Sequence, residues 1–166
     1  EENLIAVKAD NSDDPLYPVG KAQNMLDFTY FGGIYRDCWL IAHNDVFITN
    51  ANYENEVAGG GLFVSFANVS AKSAQINLKA HIRNNSTSGK RVTVTFELKK
   101  KSGELVEQVA EKLSVSKGKA AYAITSMKIN SPSLWSPEDP YLYYLDITVK
   151  DYSGQVIDGY RQKVGI

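Results

Sequence analysis

Gln75-Ile76-Asn77-Leu78-Lys79-Ala80-His81-Ile82-Arg83 decides the fold. Ile76, Leu78, Ala80 and Ile82 fall on one face of an extended chain, and Gln75, Asn77, Lys79, His81 and Arg83 on the other. Strict alternation of this kind predicts a strand with one buried and one wet face. A polar stretch, 84–89, turns the chain, and 91–99 repeats the pattern with Val92, Val94, Phe96 and Leu98 on its apolar face. Lys101-Ser102-Gly103 turns it again, and a third strand starts from Glu104. The result is a β-meander.

Working outward, a second hairpin lies near the C-terminus. Tyr143, Leu145, Ile147 and Val149 alternate with Tyr144, Asp146, Thr148 and Lys150, residues 151–154 turn, and 155–164 return. Residues 120–129 read as a strand, and 46–50 and 62–66 as shorter ones. About seven strands with turns roughly every 8–12 residues is the pattern of an all-β, immunoglobulin-like β-sandwich. Residues 45–166 are assigned to it. Residues 51–61 are a loop ending in Gly59-Gly60-Gly61, expected to be mobile.

Residues 1–44 read differently. Stretches 4–9 and 34–41 predict two strands separated by a polar run with Pro15, Pro18 and Gly20. Two strands cannot build a core alone. This segment is therefore expected to pack on the sandwich, on a second copy of the chain, or on a further domain.

Composition narrows the function classes. The 166 residues are 43% hydrophobic and 22% charged, with a net charge of −1. That balance gives no electrostatic footprint for nucleic acid or an anionic membrane surface. The basic run Lys99-Lys100-Lys101 reads as a hairpin tip. A single cysteine, Cys38, excludes an intrachain disulfide. No apolar run reaches the roughly 18 residues of a membrane helix. The opening Glu1-Glu2-Asn3 carries neither an initiator Met nor a basic leader, as expected for part of a longer polypeptide. The nineteen acidic residues sit mostly at strand ends and turns, with no catalytic pairing evident. His43 and His81 are far apart, so a zinc site is not expected.

Two motifs are more specific than the strand pattern. One is Asp27-Phe28-Thr29-Tyr30-Phe31-Gly32-Gly33-Ile34-Tyr35-Arg36-Asp37. The other is Asn130-Ser131-Pro132-Ser133-Leu134-Trp135-Ser136-Pro137-Glu138-Asp139-Pro140-Tyr141-Leu142-Tyr143. In this order and spacing they resemble glycoside hydrolase family 2, the β-galactosidase and β-glucuronidase group, over nearly the whole chain. The resemblance implies that residues 1–44 are the end of a sugar-binding jelly-roll domain. It implies that 45–166 are the sandwich preceding a (β/α)₈ barrel that carries both catalytic glutamates. No position here matches those glutamates, so no catalytic residue is assigned and the chain alone should be inactive. By the same resemblance Asp27 touches substrate in the intact enzyme, which acts on β-linked glycans and in some members binds a monovalent or divalent cation; within this chain alone Asp27 reads first as a loop cap. No cofactor is expected in these residues themselves. The family favours a periplasmic or secreted enzyme of a glycan-degrading bacterium over a cytoplasmic one.

The motif residues also have physical readings. Gly32-Gly33 suggests a tight turn with close backbone approach. Arg36 and Asp37 straddle a pleat, where an ion pair can anchor the strand or Arg36 can reach a neighbouring domain. Pro137 and Pro140 make a rigid connection, with Trp135 read as a core plug in preference to a sugar platform. The role expected of the chain is a structural spacer between the sugar-binding domain and the barrel. The alternative is a free-standing carbohydrate-binding or cell-surface adhesion module, which would need an exposed aromatic row. Tyr141, Tyr143 and Tyr144 are the candidates, but the alternation turns Tyr143 inward.

Overall fold

The alternating apolar residues become buried rows on two facing antiparallel sheets. The computed structural model describes residues 4–14, 16, 22–27, 32–57 and 59–166. They hold eight strands: β1 (Val46–Ile48), β2 (Leu62–Ala67), β3 (Ser73–Asn84), β4 (Lys90–Lys99), β5 (Leu105–Val115), β6 (Ala120–Asn130), β7 (Tyr143–Lys150) and β8 (Val156–Val164). One sheet centres on β3, with β6 along one side and β1 and β2 sharing the other. The second runs β5-β4-β7-β8. The all-β sandwich read from the sequence is the fold.

Register follows the pattern residue by residue. Ile76, Leu78, Ala80 and Ile82 of β3 are fully buried. They share one core with Val94, Phe96 and Leu98 of β4, with Leu145, Ile147 and Val149 of β7, and with Ala123, Met127 and Ile129 of β6. Phe96 is wholly enclosed, so truncating it to Ala would cost about 3–5 kcal/mol. Tyr143 is buried, and its hydroxyl accepts from the Ser133 N–H at 2.7 Å.

Asn84 ties the end of β3 to the loops around it. Its side chain is fully buried. Nδ2 donates to the carbonyls of Val115 and Ser88, both at 2.9 Å. Oδ1 accepts from the Ser86 N–H at 2.9 Å and the Ser86 hydroxyl at 2.6 Å.

The described residues of the loop before β2 form a short capped helix and a close-packed glycine turn. Helix α1 (Ala51–Glu54) is capped by the Asn50 side chain, which accepts from the amides of Asn52 and Tyr53. Gly60 and Gly61 are buried. Gly61 has φ +66°, and a Cβ there would stand 3.1 Å from the Thr49 carbonyl oxygen. The triple glycine is thus a close-packed strand entry rather than a hinge.

The chain divides into two units, Glu1–Ile41 and Ala42–Ile166. The first carries no strand among its described residues; its one regular element is a 3₁₀ turn, Gln23–Met25. The two strands expected at 4–9 and 34–41 do not form. Their described residues have no ladder partner, and a lone extended segment in water is not stable. This unit exposes Leu4, Ile5, Trp39, Leu40 and Ile41.

Candidate functional site

The described residues of the first motif lie at the surface. Asp27, Arg36 and Asp37 are exposed. Among the described residues neither Arg36 nor Asp37 forms an ion pair; the Arg36 guanidinium lies 6.0 Å from the Tyr35 ring centroid. A Cβ on Gly32 would fall 2.5 Å from Cγ of Asn11. Gly33 has φ +86°, a conformation open to glycine at little cost. Phe28 to Phe31 lie outside the described residues.

The second motif corrects one expectation. Trp135 is 49% exposed and does not plug the core. Leu134 and Tyr141 of the same motif pack against the core instead. A bridge between Trp135 and Pro140 closes the turn, with the Ser136 amide donating to the Asp139 carbonyl at 3.0 Å. The Trp135 N–H donates to the Ile166 carbonyl at 2.7 Å. A Cβ on Gly165 would come within 3.0 Å of Cβ and Cγ of Trp135, so the indole is seated on that glycine. Pro137 and Pro140 are exposed in the same turn. Pattern reading had no means of choosing between Leu134 and Trp135, because one residue of slip in a loop decides which points inward.

One carboxylate pair has a spacing that invites a catalytic reading. Glu97 on β4 faces Asp146 on β7, and opposed residues place their Cβ atoms about 4.5–5.5 Å apart. Retaining glycosidases use carboxyls about 5–5.5 Å apart, one with a raised pKa. Here both carboxylates grip the Lys99 ammonium, at 2.9 and 3.2 Å, and Asp146 also binds Arg161. The Arg161 hydrogen bond, with Lys99 behind it, holds Asp146 below the usual carboxylate range. Asp146 is thus fixed in its ionised form, and the pair is a cross-strand charge network rather than an acid and a nucleophile. Among the described residues no group of three or more His, Cys, Asp or Glu side chains can hold a metal ion.

His81 was expected on a wet face and is buried. Residues 50–57 and 59–61 lie over that face, and Nδ1 of His81 sits 2.9 Å from the Thr49 hydroxyl, which accepts from the Gly61 amide at 2.8 Å. Burial pushes the His81 pKa down, against the opposing charge of Glu54. Beside it Arg83 makes a two-pronged ion pair with Glu54, whose hydrogen bond holds the Glu54 carboxyl below its ordinary value. No sequence signal links residues 29 apart in this way.

Two concavities remain. A cleft of about 730 Å³ opens at the end of the sandwich where β3 meets β4 and β7 meets β8, lined by Asp45, Lys90, Arg91 and Tyr152. A shallower groove of about 590 Å³ crosses the outer face of β2, β3 and β6. The strand directions place the start of β1 at the cleft end. The end of β8, Trp135 and Ile166 lie at the opposite end.

Comparison with known proteins gives these features a setting. The family model of glycosyl hydrolases family 2 matches residues 62–166. A β-glucuronidase of Formosa agariphila is 30% identical over the whole chain, and a β-galactosidase of Bacteroides ovatus 29%. The chain spans 17% of the length of each. A β-glucuronidase structure from glycoside hydrolase family 2 superposes on 75% of the chain and 13% of its own, with a TM-score of 0.69 and 28% identity. The Bacteroides uniformis β-glucuronidase structure covers 95% of the chain and 18% of its own, with a TM-score of 0.78; at 24% identity that likeness is one of fold.

Proposed function

Since the chain belongs to glycosyl hydrolases family 2, we propose that it is the non-catalytic spacer of a glycosidase acting on terminal β-linked sugars. In this reading it holds a sugar-binding domain and a catalytic barrel in register. The observation that carries the reading is the placing of the sandwich's entry and exit. The sandwich is entered at Val46 and left beyond Val164 at opposite ends of its strands. A rigid core shared by both sheets lies between them. Nine residues of β8 set the separation, about 30 Å at 3.3 Å per residue. The half-exposed Trp135, anchored by its own amide to Ile166, is the apolar surface on which the following domain would seat. Asp27 is the one residue assigned to substrate contact, and its exposure leaves its carboxylate free to reach a neighbouring domain.

The test compares the 166-residue chain with the full-length polypeptide on 4-nitrophenyl β-galactoside and β-glucuronide. The chain alone should release no nitrophenol, and the full-length protein should turn over one of the two. In the full-length protein Asp27→Ala should raise KM and lower kcat. Turnover by the isolated chain would overturn the spacer reading, and unchanged kinetics of Asp27→Ala would overturn the role of Asp27.

A further inference from the structure

We propose that the groove across the outer face of β2, β3 and β6 is a binding site for an acidic, uronate-bearing oligosaccharide.

The groove follows from register. Three rows of side chains cross this face. Phe63, Lys79 and Ile124 form one, Ser65, Asn77 and Ser126 the next, and Ala67, Gln75 and Lys128 the third. The middle row is short and hydroxylated or amidic; Phe63, Lys79 and Ile124 rise beside it on one side and Gln75 and Lys128 on the other, with Ala67 leaving the β2 corner low. The sheet face is therefore a trough running across the strands, with walls about 13 Å apart and a span of about 10 Å over three strands. That is room for a disaccharide unit lying along the middle row.

Its chemistry suits a sugar acid. Phe63 is 45% exposed and Ile124 63% exposed, giving an apolar wall for a pyranose face. The floor supplies donors and acceptors. Gln75 donates to Asn77 Oδ1 at 2.7 Å, which orients the Asn77 amide, and the Ser126 hydroxyl has no side-chain partner among the described residues. Two lysines stand beyond the ends of the floor, Lys79 among the lining residues and Lys128 one register step further along β6. Lys79 is placed by the Tyr122 ring, with Nζ 4.2 Å from the centroid, and Lys128 is exposed with no ion pair among the described residues.

Charge complementarity selects the acidic class. β2, β3 and β6 carry Lys79, Arg83 and Lys128 and not one Asp or Glu. The other sheet mixes both signs along its strands. Glu54 and Glu56 of the covering loop act at the Arg83 end of the face, where Glu54 is held by Arg83. The groove thus presents cations and neutral hydrogen-bonding groups, a setting that favours a carboxylated sugar over a neutral one.

This proposal goes beyond the spacer reading, and its test needs neither barrel nor catalysis. The 166-residue chain is titrated calorimetrically with oligomers of polyglucuronic acid, with neutral β-galactan oligomers and dextran sulfate as comparisons. Saturable binding to polyglucuronate is expected, stronger than to either comparison. Lys79→Gln with Lys128→Gln should weaken it roughly tenfold, the scale of a lost charge-assisted hydrogen bond. Ser126→Trp fills the trough without removing a charge and should weaken it too, whereas Lys90→Gln with Arg91→Gln should not. Thermal melts check that each variant folds. No binding, equal binding of dextran sulfate or of galactan, or insensitivity to both groove variants would each overturn the proposal.

Discussion

Replacing Asn84 with alanine would measure how far one buried amide holds the cleft end of the sandwich together. The side chain makes four hydrogen bonds, one to the buried Val115 carbonyl and three to Ser86 and Ser88. Stranding the Val115 carbonyl costs about 1–3 kcal/mol, because no water replaces the lost donor. The other three partners are nearer solvent and regain water, so each loss counts for about 0.5 kcal/mol. The sum is about 3 kcal/mol, and for a chain of this size about 2–4 °C of Tm per kcal/mol gives a fall of about 6–12 °C. Urea denaturation followed by circular dichroism measures it. Asn84→Asp sharpens the test. Its carboxylate would face two carbonyl oxygens with no hydrogen to offer. Its pKa would be raised, so the damage is greatest at neutral pH and eases once the group is protonated. Asn85→Ala, at the exposed neighbouring position, should stay within about 0.5 kcal/mol. A loss below about 1 kcal/mol for Asn84→Ala, or an Asp variant as stable as the parent at neutral pH, would refute the reasoning.

Other outcomes follow from the same geometry. Arg83 holds Glu54 below its ordinary value of 4.5, so the pair stabilises fully above that value and its contribution is lost as pH falls through the lowered one; acid titrations of stability should show a shallower loss below that pH in Glu54→Gln than in the parent. Trp135→Ala should cost the isolated chain under about 2 kcal/mol rather than the about 3–5 of a core aromatic, while lowering the activity of the full-length protein; a core-sized loss in a thermal melt of the chain would contradict its place at the surface. Gly61→Ala should destabilise by more than about 1 kcal/mol, since it adds a Cβ at positive φ against the Thr49 carbonyl. Sedimentation velocity should show self-association that rises with concentration and disappears on deleting residues 1–41, whose Leu4, Trp39 and Leu40 are exposed.

The strands were legible because they obey one local rule. In 75–83, 91–99 and 143–149 each second side chain meets the core, and burial needs no information beyond the pleat. Where the rule stops, sequence reading stops with it. His81 obeys the alternation but is buried, because a loop from another part of the chain covers its face. Trp135 sits in a prolyl turn with no period, so its direction depended on a contact with Gly165, thirty residues on. Residues 4–9 have strand composition but no partner, and composition alone does not report a partner's absence. The groove on the β3 sheet was partly readable: the alternation gave its polar row, but only the pairing of β2 and β6 with β3 lines up Ser65, Asn77 and Ser126.

The separation of entry and exit has a mechanical side. If the chain is the spacer proposed above, a body about 30 Å long between two parts of one reactive site would act as a lever. A tilt of about 5° at its cleft end would carry the Trp135 end sideways by about 3 Å over that length. Catalysis tolerates misplacement of only about 1 Å before losing on the order of a hundredfold in rate. The stiffness of the Phe96 and Ile147 layer and the tethering by Asn84 would then register as fidelity of alignment as well as stability. On that reading, softening either would blur the alignment of the domains that the sandwich joins.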